Sequence, residues 1–149
     1  MRQSGGEATG DILVRSARLH GTQIAGDLIP RLVDEIPVIA VAAACADGVT
    51  EIHDAQELKV KESNRLETVA QGLRAFGCDV DVLDDGLRIA GGTPLKAGAV
   101  CDSFADHRIA MSMTIAALAA QGAAEIEQFE VVSVSWPSFW SDLQALEVK

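Results

Sequence analysis

Positive charge is scarce in this chain: 12 lysines and arginines stand against 22 acidic residues among 149, a formal net charge of −10. That balance excludes nonspecific binding to nucleic acid or to acidic membrane surfaces, both of which need basic patches. Cysteine is sparse as well. Cys45, Cys78 and Cys101 are odd in number, widely spaced and without a CxxC pair, so they read as small buried hydrophobes in a reducing compartment, not as a disulfide framework. Long apolar runs are missing, since the longest, Val38 to Ala46 and Ile109 to Ala120, are too short and alanine-rich to span a bilayer. The N-terminus has no signal h-region or cleavage pattern, which makes the cytoplasm the expected compartment. Low-complexity tracts are absent, and residues 1–9 read as a flexible lead-in.

What remains is ordinary globular material. With 48% hydrophobic residues, residues 1–149 are long enough for one domain, which at this size buries roughly 68–70% of its unfolded surface. Asp11 to Ala17 alternates apolar and polar residues, as does Gln23 to Ala25, and the spacing predicts a short pair of strands. Glu35 to Ala46 predicts a helix apolar on nearly every face, stopped by Asp47-Gly48 and therefore central to the core. A strand over Val49 to His53 and an amphipathic helix over Asn64 to Phe76 follow, the latter with Leu66, Val69, Ala70, Leu73 and Phe76 on one face and an Asn64…Glu67 capping box. Cys78 to Leu83 and Leu87 to Ala90 predict a hairpin around Asp84-Asp85-Gly86. Then come a strand at Val100 to Ser103, a second all-round apolar helix over Ile109 to Ala120, a strand over Ala124 to Phe129 and a last amphipathic helix over Pro137 to Leu146. Gly48-Val-Thr-Glu-Ile52 recurs 74 residues later as Gly122-Ala-Ala-Glu-Ile126, the mark of an internal duplication. The fold class is α/β (α+β), with buried helices packed against sheets.

Two short stretches stand out in this acidic chain: Lys61-Glu62-Ser63-Asn64-Arg65 and Asp106-His107-Arg108. Both crowd cations where a helix begins, at the end that already carries partial positive charge. Something negative must offset them, and a bound anion held by N–H groups and guanidinium forks is the natural candidate. The bland alternatives are that Asp34 and Asp106 are helix N-caps, that Lys61 and Arg65 form a solvated i,i+4 face and that Arg108 is merely exposed.

Taken in order and spacing, Gly26-Asp-Leu-Ile-Pro-Arg-Leu-Val-Asp-Glu-Ile-Pro37, Glu57-Leu-Lys-Val-Lys-Glu-Ser-Asn-Arg65, Asp106-His-Arg108 and Ser135-Trp-Pro-Ser-Phe139 closely resemble the 5-enolpyruvylshikimate-3-phosphate synthase family. The resemblance covers nearly the whole chain from about Gly6, but roughly the last third of the family's length. It implies a two-domain fold of six related βαβαββ units with an active site in the cleft, of which this chain holds about two units. It also implies transfer of the enolpyruvyl group of phosphoenolpyruvate to the 5-hydroxyl of shikimate-3-phosphate with release of phosphate, and no metal or organic cofactor.

By the same resemblance, Asp34 contacts the shikimate-3-phosphate hydroxyl as proton acceptor, and Lys61 binds that substrate. Glu62 moves a proton at the enolpyruvyl methylene, and Arg65 and Arg108 grip phosphoenolpyruvate, where a planar fork suits a carboxylate. Asp106 and His107 support the site. Val134 stands where some members carry a lysine for the phosphate, and Trp136 and Trp140 read as core packing of the last helix. The partners implied are the two substrates and the missing N-terminal portion. The competing expectation is a catalytically inactive anion-binding or assembly fragment of the same enzyme. A related transferase acting on a nucleotide sugar shares the repeated fold, but the Lys-Glu-Ser-Asn-Arg and Asp-His-Arg set argues against it.

Overall fold

Alanine lets helices run through the middle of this fold. The structure, a computed structural model, describes residues 2–4 and 7–146. Strands β1 (Arg2–Ser4) and β2 (Glu7–Thr9) pair antiparallel. Then come β3 (Gln23–Ile24), the single turn α1 (Ile29–Leu32), the helix α2 (Ile36–Ala44) and β4 (Val49–Ile52). A 3-10 turn over Gln56–Val60 leads to α3 (Arg65–Ala75) and the hairpin β5 (Asp79–Val82) and β6 (Leu87–Ala90). The pattern then restarts with β7 (Val100–Asp102), α4 (His107–Ala119), β8 (Glu125–Glu127), a 3-10 turn over Phe129–Val134 and α5 (Phe139–Ala145).

The duplication is structural. β3 lies parallel to β4 with α2 between them in sequence, and β7 lies parallel to β8 with α4 between them. The 74-residue offset carries Asp54 onto Gln128, both left-handed (φ 59° and 56°) as the chain leaves β4 and β8. It also carries Arg65 onto Phe139, the first residues of α3 and α5. Only the first unit shows a hairpin after its second helix among the described residues, and β6 of that hairpin joins β4 antiparallel in a sheet ordered β3-β4-β6-β5.

The core fills between this sheet and the helices. Leu66, Val69 and Leu73 of α3 and Phe76 at its C-cap are fully buried beside Ile36, Ile52, Leu58, Ile89 and Met113, each large apolar side chain contributing about 1.5–3 kcal/mol relative to exposure. Gly77, at φ +82°, turns the chain out of α3 so that the Cys78 N–H reaches Leu73 O (3.0 Å). Gly72 has the opposite use. A Cβ there would stand 2.4 Å from Met113 Sδ, so the bare glycine lets α3 and α4 approach.

Several expectations change. Residues 11–17 form no strand, and Ile12 and Val14 are 89% and 84% exposed. Alternation says which face a strand would bury, but it supplies no edge to pair with, and β3 and β4 pair without this segment. Of the lead-in 1–9, residues 1, 5 and 6 lie outside the described residues, and the rest form β1 and β2. Cys45 is exposed at the C-terminal end of α2, whereas Cys78 and Cys101 are buried as expected, with burial pushing both thiols up to about 11. Trp136 is not core: it is 47% exposed, with its indole N–H donated to Asp142 Oδ2 (2.8 Å) and its ring edge-on to Phe139. Trp140 is also half exposed, touching Phe129 edge-on at 6.0 Å. Trp140 lies in the first turn of the short helix α5 and Trp136 just before it, and both side chains stay half exposed. Asn64 occupies the N-cap position of α3 but makes no side-chain cap bond.

Gly72→Ala tests the α3–α4 approach. The helix gains up to ~1 kcal/mol in propensity, yet the buried methyl must push Met113 aside, an overpacking cost of about 1–3 kcal/mol. Urea unfolding should show net destabilisation. Met113→Val, which clears the sulfur, should couple favourably with it in a double-mutant cycle by at least ~0.5 kcal/mol.

Candidate active site

One guanidinium gathers three carboxylates. Arg65 opens α3 and is 1% exposed; its Nε donates to Asp106 Oδ2 (2.8 Å), its Nη1 to Asp34 Oδ1 (3.0 Å) and its Nη2 to Glu62 Oε2 and Asp106 Oδ1. Asp106, 0% exposed, also accepts from Ser63 Oγ (3.0 Å) and from the N–H of Arg108 (2.9 Å), the latter as a true N-cap of α4. Ser63 Oγ lies 3.2 Å from Thr68 Oγ1. A charge buried this deeply is tolerated only when paired and hydrogen-bonded on every side. Among the described residues no buried side-chain nitrogen or oxygen lacks a partner.

The turn that delivers Asp106 is strained. Phe104 and Ala105 are consecutive left-handed residues without being glycine (φ 54° and 52°), each at a cost of about 1–3 kcal/mol. Asp102 holds the turn, its Oδ1 accepting the Phe104 N–H (2.7 Å) and Gln128 Nε2 (2.9 Å). The reversal starts α4 in a direction that points Asp106 inward and Arg108 toward Asp34.

Asp34 is the centre of the cluster, not a helix cap. The cap position of α2 falls on Glu35, which makes no side-chain cap bond. Arg108 donates Nη1 to the Asp34 backbone oxygen (3.0 Å) and places Nη2 3.4 Å from Asp34 Oδ2, while Lys61 Nζ stands 4.0 Å from Asp34 Oδ1. Lys61 is held at the end of the Gln56–Val60 turn by an ion pair with Glu57, and Arg108 Nη1 is 3.8 Å from Glu35 Oε1. Asp34, Lys61, Glu62, Arg65, Asp106 and Arg108 therefore converge, brought together from the starts of α2, α3 and α4. His107 is the half-buried first residue of α4. Val134, in the 3-10 turn before α5, is exposed.

The negative charge expected at the helix starts is present as the protein's own carboxylates. Asp34, Glu35, Glu57, Glu62 and Asp106 surround Lys61, Arg65 and Arg108. Lys61 is thus engaged by Glu57, Arg108 by Asp34 and Glu35, and Arg65 by Glu62 and Asp34. Ser63, Glu35 and Glu57 stand inside the quoted motifs with no role of their own assigned there. Only Glu57, four residues before Lys61, carries a local signal, that of a helical-spacing ion pair. Among the described residues no group of His, Cys, Asp and Glu side chains is arranged to hold a metal.

Burial works against the Asp106 carboxylate, but the Arg65 hydrogen bond and charge, with the Ser63 hydroxyl and the Arg108 N–H, outweigh it and hold its pKa below the ordinary range. Burial likewise works against the Arg65 guanidinium, and Asp106, Glu62 and Asp34 more than restore its charge.

With this geometry in view, comparison with known proteins is informative. The sequence profile of the family described as EPSP synthase (3-phosphoshikimate 1-carboxyvinyltransferase) matches residues 4–143. The chain is 55% identical over 148 residues to a 3-phosphoshikimate 1-carboxyvinyltransferase of Desulforamulus reducens, covering 99% of this chain and 34% of that protein. A Synechococcus relative of the same name is 57% identical over 145 residues, 97% of this chain and 32% of that one. The fold matches EPSP synthase from Acinetobacter baumannii with a TM-score of 0.82 at 38% identity, across 86% of this chain and 30% of that structure. The chain thus spans about a third of the length of the curated relatives it matches.

A pH prediction follows from the Arg65–Asp106 pair. The folded-state pKa of Asp106 lies below the ~3.9 of a free carboxyl. Its ionisation therefore stabilises the fold at pH values above that, and the gain is lost as pH falls through the depressed folded value. Asp106→Asn keeps an oxygen for the cap but strands Arg65, and should cost about 3–5 kcal/mol at pH 7 in urea unfolding. Below about pH 4 its stability should fall less steeply than the parent's. Parallel acid profiles would show that Asp106 does not carry this charge.

Proposed function

The chain belongs to the EPSP synthase family, and from that membership we propose that it forms one wall of an active site that transfers the enolpyruvyl group of phosphoenolpyruvate to the 5-hydroxyl of shikimate-3-phosphate. The observation that carries this reading is the placement of Asp34, a half-exposed carboxylate set among Arg65, Arg108 and Lys61 at the meeting of three helix starts. A base that must take a proton from a hydroxyl beside anionic substrates needs cations within reach to hold those substrates.

In the proposed reaction the hydroxyl oxygen adds to the enol carbon of phosphoenolpyruvate, while its proton passes to Asp34 and the methylene carbon takes a proton from Glu62, which enters the step as the carboxylic acid. The C–O bond to phosphate then breaks, a methyl proton returns to Glu62 and the proton held by Asp34 passes to the departing phosphate, which restores the enol ether and both carboxyl groups. Lys61 binds shikimate-3-phosphate after leaving Glu57. Arg108 takes phosphoenolpyruvate, and Arg65 joins it when Glu62 swings off Nη2. Asp106 and Ser63 hold the buried side of Arg65 throughout, and His107 supports the start of α4. Preorganised charges of this kind act most strongly where water is excluded. The exposed sides of Asp34, Glu62 and Arg108 are where the rest of the family's length would close over them.

Phosphate release tests the reading. The chain alone should show no turnover with both substrates, because positioning two reactants supplies about 7–11 kcal/mol of barrier lowering and one wall supplies little of it. Added N-terminal portion from a relative should restore release, and Glu62→Gln should reduce the restored rate by about 10²-fold or more while leaving association intact. Turnover by the isolated chain, or a Glu62→Gln complex as fast as the parent, would overturn it. Substrate binding without restored turnover would favour the inactive anion-binding fragment.

A further inference from the structure

The two duplicated units fasten the turn after their first strand in the same way. In the first unit Ile24 of β3 stands opposite Ile52 of β4, and in the second Cys101 of β7 stands opposite Ile126 of β8. Two residues beyond each pair lie Gly26 and Asp54 in one unit and Ser103 and Gln128 in the other. Asp54 and Gln128 are both left-handed (φ 59° and 56°). Glycine would adopt that conformation most easily, yet both positions keep a polar side chain, and both side chains bond to the turn opposite.

Past the β3–β4 rung from His53 N–H to Ile24 O (3.0 Å), the two segments are linked by Asp54 Oδ2, which accepts the Gly26 N–H (2.9 Å). Gly26 is itself left-handed (φ 63°), and from it the chain runs through a 3-10 turn over Gly26–Leu28 and then α1 to Asp34. Asp54 is held in its place by the β5–β6 turn. Its N–H donates to Asp85 Oδ2 (2.9 Å), and the Ala55 N–H donates to Asp85 O (2.7 Å). In the second unit Gln128 Nε2 donates to Asp102 Oδ1 (2.9 Å) and the Gln128 carbonyl accepts the Ser103 hydroxyl (3.4 Å), on the turn that delivers Asp106. Asp34 and Asp106 are the acids that Arg65 holds on Nη1 and Nε.

We propose that Asp54 is a positioning residue for Asp34. Its carboxylate pins the start of the connection that runs from Gly26 to Asp34, as Gln128 pins the turn before Asp106, so that the two acids meet one guanidinium from two sides. The connection needs such a pin. Its two helical pieces are single turns of 3 and 4 residues, too short to be stable by themselves, and only Ile29 among them is buried. Without the bond, Gly26 is free to sample both signs of φ, and each alternative redirects the path toward Asp34. Asp54 acts through the backbone and takes no part in the proton transfers proposed for Asp34 and Glu62. Its effect on the geometry of the cluster is independent of that reaction, and only its effect on turnover rests on it.

The test compares Asp54→Gly, which keeps the left-handed backbone and removes the acceptor, with Asp54→Asn, which keeps both. In the 15N-labelled chain, Asp54→Gly should speed hydrogen exchange at the Gly26 amide and at Arg65 Nη1–H by about tenfold each, the weight of one hydrogen bond to a charged group. Asp54→Asn should restore both. In an Asp34→Ala background, where Arg65 Nη1 has already lost this partner, Asp54→Gly should leave the Arg65 signal unaltered. With the N-terminal portion of a relative added, Asp54→Gly should lower kcat by about tenfold and leave KM for both substrates within about twofold. Exchange at Gly26 or at Arg65 left as in the parent would overturn the proposal, the second outcome making Asp54 a tie for the strand end alone. So would an Asp54→Asn chain no better than Asp54→Gly. The Arg65 response together with a complemented parent that shows no turnover would support the positioning role while the enolpyruvyl reading falls.

Discussion

The buried ion pair between Arg65 and Asp106 is the constraint on which the rest of the site depends. Neither residue has water to solvate it, so each must be satisfied by the other and by neighbours drawn from distant parts of the chain. Asp106 collects a hydroxyl from Ser63 and a backbone N–H from α4, and Arg65 extends to Asp34 and Glu62. One interaction thereby fixes the starts of α2, α3 and α4 relative to one another and aims two carboxylates outward.

That arrangement separates the chemistry into an inner and an outer layer. The inner layer is closed, with each nitrogen of Arg65 and the Ser63 hydroxyl facing a carboxylate oxygen. The outer layer is provisional: Lys61 rests on Glu57, and Arg108 on Asp34 and Glu35. Under the proposed function, anions would bind by exchanging these weak, partly solvated pairs, each worth about 0–1 kcal/mol, for their own charges. The left-handed Phe104–Ala105 turn is a place where local strain is tolerated because the network it completes is worth more.

Much of the fold is legible in the sequence. The two alanine-rich helices announce their burial by lacking a polar face, and Asp84-Asp85-Gly86 marks the hairpin that becomes β5 and β6. The recurrence of Gly48–Ile52 at Gly122–Ile126 prefigures the parallel pairs β3–β4 and β7–β8. What fails does so where a residue's environment is set by distant partners. Residues 11–17 carry a strand pattern but pair with no strand among the described residues, and Trp136 and Trp140 stay half exposed, Trp140 lining an open groove beside α4. The candidate site residues are visible through their motifs, but their pairings are not. Arg65 holds Asp34 and Asp106, 31 and 41 residues away in sequence. Local spacing carries no trace of such contacts.

The most direct test of this account is the side-chain Nε–H signal of Arg65 in a 15N-labelled sample at neutral pH without added anion. A guanidinium locked between Asp106, Asp34 and Glu62 should give a resolved Nε–H resonance that exchanges slowly with water, well apart from the exposed Arg15 and Arg18, and that disappears into fast exchange in Asp106→Asn. An Arg65 signal exchanging as fast as those of Arg15 and Arg18 would contradict the buried pair, and with it the organisation of the site.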